Sequence, residues 1–169
     1  MIYPFKEKTP KVANGAFVAA SADIIGDVTI GEESSIWFNT VIRGDTGPIT
    51  IGRGVNIQDN STIHLDLNMS VMIEDDVTIG HGCIIHGATL EKGALIGMGA
   101  IVLDGAHIGE GAIVGAGSIV TAGKKISPNM LAIGIPAKEV REVRDEERAR
   151  VIEGVDTYKD KARIYHSLG

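Results

Sequence analysis

The stretch Leu90–Val120, LEKGALIGMGAIVLDGAHIGEGAIVGAGSIV, places an aliphatic residue at every sixth position: Leu90, Ile96, Val102, Ile108, Val114 and Val120. A small residue stands four positions after most of these, at Ala94, Ala100, Ala106, Ala112 and Ser118, and glycine often follows the aliphatic residue directly. A period of six fits neither an amphipathic helix nor a long alternating strand. It fits hexapeptides that each make one short strand and one tight corner, three of them forming a triangular coil of a parallel β-helix. The aliphatic residue then points inward, the small one sits beside the corner, and glycine relieves backbone strain there.

Upstream, the same period runs through Val12, Val18, Ile24, Ile30, Ile36 and Ile42, then Ile51, Ile57 and Ile63, then Ile73, Ile79 and Ile85. The slips between these series locate insertions: three residues within RGDTGPIT (43–50), and four within HLDLNMSVM (64–72). Loops projecting from a rigid scaffold at these two places are expected to carry function. The whole pattern resembles the left-handed β-helix of the hexapeptide-repeat proteins, an all-β solenoid, over residues 12–137. Beyond it, 145–166 reads as an α-helix, with Asp145, Glu146 and Glu147 in the first turn and basic residues late, as the helix dipole favours. Val151, Val155, Tyr158, Ala162 and Tyr165 form its apolar stripe, which must pack on the β-helix or on a neighbouring subunit. Residues 1–169 are expected to form a single domain.

The formal net charge of −6 argues against a nucleic-acid partner or a polybasic membrane surface. No run approaches the ~18 apolar residues of a membrane-spanning helix, and MIYPFKEKTP lacks the apolar core of a secretory signal. The single cysteine, Cys83, excludes an internal disulfide, so a reducing, cytoplasmic compartment is expected. Aromatics make up 4 % of the chain against 22 glycines, which suits a thin core filled by aliphatic side chains.

Three of the five histidines, His64, His81 and His86, fall within one short segment at intervals unsuited to a single helix face. Counting hexapeptides explains the spacing. His64 follows Ile63 and His86 follows Ile85, three repeats later, so they occupy equivalent positions in adjacent coils, roughly 4.8 Å apart. Arg43, after Ile42, lies in the same column. His81 stands second after Ile79 on another corner, sharing a column with Asp59, which has Gln58 beside it. A prism face is roughly 16 Å wide, whereas metal–nitrogen bonds are ~2.0–2.1 Å. One metal can therefore bind all three only if a second chain brings its His81 to the first chain's His64 and His86, a contact that a three-fold ring repeats. The alternative is three unrelated surface histidines, each capping a corner. Three neutral histidines with an open position form the ligand set of catalytic zinc, which makes hydroxide available near neutral pH. Fe2+ or Co2+ suits the same set. Of the other histidines, His107 is expected at a corner and His166 in the tail, both solvated, and Cys83 points into the core.

These residues resemble the gamma-class carbonic anhydrases and carbonic-anhydrase-like proteins, through RGD (Arg43, Asp45), NIQDNSTIH (Gln58, Asp59, His64) and IGHGCIIHG (His81, His86). The resemblance implies a homotrimer with a Zn2+ ion, or Fe2+ or Co2+, at each interface, and reversible hydration of CO2 to bicarbonate. It assigns Gln58 to orienting hydroxide or substrate, Arg43 and Asp45 to an inter-subunit ion pair, and Asp59 to the same polar interface. It also implies a place in the pocket for Tyr158, whose simpler reading is packing in the helix stripe. Two features depart from the best-known active members: Thr46 replaces a glutamate after Asp45, and the loop after His64 is short, with Asp66 as its one acidic residue. An acyl-CoA-dependent acyltransferase, a metal-clamped trimeric scaffold and a thioesterase remain alternatives. The stacked His64 and His86 separate the metal readings from the acyltransferase, whose chemistry rests on a lone histidine.

Overall fold

The inward aliphatic residues stack from coil to coil. Ile24, Ile42, Ile63, Ile85 and Val102 pair successively in parallel register, and Ile57, Ile79 and Ile96 do so on another face. All eight are buried. The computed structural model, which describes residues 1–168, is thus a left-handed β-helix of about seven turns with one C-terminal helix. Two-residue and three-residue strands form three faces. The first includes Thr62–His64, Ile84–His86 and Ile101–Val102. The second includes Val71–Ile73, Thr89–Leu90 and His107–Ile108. The third runs through Ser35–Ile36, Asn56–Ile57, Thr78–Ile79 and Leu95–Ile96.

The small residues expected beside the corners, Ala22, Ser34, Thr40, Ser61, Cys83, Ala94, Ala100 and Ala112, are all buried. Glycine does two jobs rather than one. Gly99 turns the chain at φ +68, a left-handed conformation that costs other residues energy. Gly97, directly after the inward Ile96, instead permits close stacking: a Cβ there would lie 2.5 Å from the Ala116 nitrogen in the next coil.

The insertions differ in form. Residues 43–50 do not project as a free loop. Val41–Ile51 is one continuous strand that turns a corner beside Asp23–Ile30. Gly26 pairs with Gly44 and Val28 with Ile49, so Asp45–Pro48 oppose Asp27 alone in a three-residue bulge. The second insertion does leave the sheet, with a turn at Leu67 and Asn68, but Leu65 is fully buried and anchors it.

Strands also extend beyond 12–137. Ile2–Tyr3 pairs with Asp23–Ile30 at one end. At the other, Met130–Gly134 and Ala137–Glu142 form an antiparallel hairpin that ends the parallel stacking. Helix α1, Asp145–Leu168, lies against the third face, touching Phe17–Val18, Ser35–Ile36, Asn56–Ile57 and Thr78–Ile79. Val155 and Ala162 are buried there. Tyr158 and Tyr165 pack edge-on against Trp37, with ring centroids 5.4 and 5.3 Å away. The few aromatic residues are thus concentrated where a helix must grip a flat sheet.

Candidate metal centre

His64 and His86 end adjacent strands of the first face and pair directly in register. Their ring centroids are 5.2 Å apart, and His64 Nδ1 lies 3.2 Å from His86 Nε2. Each ring's other nitrogen faces a carboxylate. His64 Nε2–H donates to Asp45 Oδ1 at 3.2 Å, and His86 Nδ1–H donates to Asp104 Oδ1 at 2.7 Å. Asp45 comes from the bulge in the coil before His64, and Asp104 from a turn in the coil after His86. The result is a ladder, Asp45–His64–His86–Asp104, across four successive coils.

With both outer nitrogens donating, the two facing nitrogens both present lone pairs. Two neutral rings so placed repel at 3.2 Å unless a metal ion, or a proton shared between them, lies in the gap. Two nitrogens bound tetrahedrally to one zinc at ~2.0–2.1 Å would be about 3.3 Å apart. The donor set therefore fits a divalent metal.

Arg43 Nη1 donates to Asp45 Oδ2 at 2.5 Å within the same chain. Burial pushes the Asp45 pKa up, but the hydrogen bonds from Arg43 and His64 outweigh it and hold this carboxyl below its ordinary range. Thr46 lies beside it, with Oγ1 3.3 Å from Asp45 Oδ1.

His81 is at a different corner, after Thr78–Ile79 on the third face, where Nδ1 contacts Asp59 Oδ2 at 2.8 Å. Gln58 is 7 % exposed beside it. Its Nε2 donates to Asn56 Oδ1 at 3.0 Å, and Asn56 Nδ2 donates to Thr78 Oγ1 at 2.9 Å. Tyr158, carried by α1, is half-buried nearby. Burial and the Asp59 charge push its phenol pKa up, so it stays protonated. One chain thus holds two separate clusters: His64 and His86 with their carboxylates at one corner, and His81, Asp59, Gln58 and Tyr158 at another.

His107 does not occupy a corner. It lies in the strand His107–Ile108, half-buried, with Nε2 2.7 Å from Glu91 Oε1. It precedes its inward isoleucine rather than following it, so its side chain joins the outer surface of the second face. His166 is exposed on α1. Cys83 is fully buried, its thiol donating to the Gly97 carbonyl, and burial pushes its pKa up.

Asp104 is the site residue that motif reading overlooks. Its signal was register: it stands second after Val102, one coil past Ile85, just as Asp59 stands second after Ile57. Asp66, exposed on the loop after His64, groups with His86 and Asp104, with ligand atoms within 4.8 Å of one another.

The repeats at 87–122 match the bacterial transferase hexapeptide family model (six repeats). The chain is 55 % identical over 168 residues, 99 % of its length, to a carbonic anhydrase of Geobacillus kaustophilus, of which it covers 92 %. It is equally identical over the same length to the uncharacterized transferase YtoA of Bacillus subtilis, covering 98 % of it. A crystal structure of a Bacillus cereus protein, provisionally called an acetyltransferase, superposes with a TM-score of 0.99 at 55 % identity, covering 100 % of this chain and 98 % of that one. Fold and repeats together define a hexapeptide-repeat protein. Within that class, the chain belongs to the family of gamma carbonic anhydrases and their relatives.

Proposed function

We propose that the protein is a gamma-class carbonic anhydrase, hydrating CO2 reversibly to bicarbonate at metal centres shared between the subunits of a homotrimer. The observation that carries this reading is the facing pair of ring nitrogens on His64 and His86, each imidazole backed by its own carboxylate. A lone general-base histidine needs no such partner. The first face also bears an outward apolar stripe beside the pair, formed by Ile84, Ile101 and Ile119 in adjacent coils, with Ile84 41 % exposed. A second copy covering this stripe would bring its His81 corner to the pair.

His64 and His86 of one chain and His81 of its neighbour would hold the ion. A Zn2+, Fe2+ or Co2+ ion supplies a Lewis acid that lets water ionise near neutral pH. Asp45 and Asp104 orient their imidazoles, and Arg43 holds Asp45 in place. Gln58, its amide held by Asn56, presents its remaining hydrogen-bonding edge to hydroxyl or substrate oxygen. Tyr158 contributes a neutral phenol donor. One water and one CO2 give bicarbonate and one proton, which leaves to buffer. Asp66, exposed on the loop after His64 and grouped with His86 and Asp104, is the acidic side chain placed to take part in that transfer.

Metal analysis of the purified protein and a stopped-flow hydration assay test the proposal. About one ion per chain is expected, one for each interface of a closed ring, together with hydration that His64→Ala abolishes. A metal-free protein without hydration activity that turns over acetyl-CoA would favour acyl transfer, the chemistry in the Bacillus cereus relative's name.

A further inference from the structure

We infer that Asp104 is a positioning residue for His86: it fixes the imidazole as its Nδ1–H tautomer, so that Nε2 faces His64 with a free lone pair. The inference rests on reading His64 and His86 as ligands of one metal. In water a neutral histidine favours the opposite tautomer, with the proton on Nε2. Left to itself, His86 would therefore tend to turn an N–H toward the place where a cation must bind. Which ring nitrogen carries the proton is set by the hydrogen bond the other one makes.

Three observations single out Asp104. Its contact with His86 Nδ1, at 2.7 Å, is shorter than the 3.2 Å between Asp45 and His64. Its backbone is locked from both sides: Gly105 N donates to the Gly87 carbonyl at 2.7 Å, and Gly123 N donates to the Asp104 carbonyl at 2.8 Å. The residue after His86 also makes room for it. A Cβ on Gly87 would lie 2.4 Å from Asp104 Oδ1, so any larger side chain would displace the carboxylate. Asp66 also lies close, but it is exposed on a loop.

The test uses the full-length protein, first loaded with zinc and then stripped of it. In the stripped protein, above the usual imidazole titration range, side-chain 15N spectra should show His86 protonated at Nδ1 and bare at Nε2. Asp104→Ala should shift His86 toward the Nε2–H form and weaken zinc binding, measured by chelator competition, about 10–100-fold. Asp104→Asn keeps a carbonyl acceptor, so it should keep the tautomer and lose less affinity. Asp66→Ala should change neither. A wild-type His86 protonated at Nε2 overturns the inference without any variant. So does an Asp104→Ala protein with unchanged tautomer and affinity, or an Asp66→Ala protein that shifts as far. Wild-type protein that binds zinc no more tightly than His64→Ala overturns the metal-centre reading itself. The His86 tautomer then still reports separately whether Asp104 sets the proton.

Discussion

His81 and His107 each touch a carboxylate, at 2.8 and 2.7 Å, and only their places on the prism separate them. His81 stands at a corner beside Gln58 and below Met98, which is 58 % exposed, whereas His107 lies on the outer surface of the second face. His81→Ala is therefore expected to remove most bound metal and His107→Ala to leave it unchanged, as metal analysis of the two purified variants will show. Equal loss from both would mean that the second face bears on metal binding as much as the third, against this assignment. Inside the prism the logic is steric. Ile63 is fully buried and paired with Ile42 and Ile85 on either side, so Ile63→Ala should cost about 2–5 kcal/mol in denaturant titrations. Such a truncation leaves a cavity that stacked, hydrogen-bonded coils cannot collapse to fill.

At the scale of elements, α1 is held by its start and by its aromatic stripe. Glu147 accepts the Arg144 backbone N–H at 2.9 Å, one half of a capping box, and takes two hydrogen bonds from Arg141 at 2.8 Å each. The Arg141 and Arg144 guanidiniums hold its carboxyl far below the usual range. A depressed carboxyl stabilises the folded state above its unfolded pKa, about 4.3 for glutamate, and that contribution fades as pH falls through the lower folded value. Glu147→Gln should therefore be less stable than wild type at neutral pH, with the two thermal midpoints converging in strong acid. Along its length, α1 covers Trp37 with Tyr158 and Tyr165 and pairs Lys159 with Asp76 at 2.9 Å. Truncation after residue 144 should shift Trp37 fluorescence to the red while the far-ultraviolet β signal persists, because the backbones of the coils hydrogen-bond to one another and the helix is tied to them by side chains alone.

For the whole molecule, the placing of His81 at a different corner from His64 and His86 decides what the proposed site needs: a second chain. The protein is expected to run as a trimer of about 53 kDa, three copies of the 17.8 kDa chain. His81→Ala chains and His64→Ala chains, unfolded and refolded together, should regain part of the metal binding that each lacks alone. In a mixed trimer, an interface that joins the intact His64 and His86 of one variant to the intact His81 of the other is complete. Verified mixed trimers that bind no more metal than their parents would place the site within one chain. Chelation should also lower the thermal midpoint, since a ligand that binds only the folded assembly stabilises it by mass action.

The chain's own pattern determined the coil. An aliphatic residue every sixth position leaves one packing solution, and the size of each phase slip counts the residues that depart from it. Column arithmetic followed from the same period, which is why the pairing of His64 with His86 and of Asp59 with His81 was legible before any coordinates. Three things were not. The first insertion became a bulge inside a continuous strand, because Asp23–Ile30 offered backbone partners on both sides of the corner. The last coil closed with an antiparallel hairpin, which carries no hexapeptide signal. Asp104 met His86 because a glycine after the histidine left room for a carboxylate from the next coil. Periodicity specifies which backbones stack, since register is shared by every repeat. Which side chains touch across a corner depends on local turns and the space between them, and only the folded prism decides that.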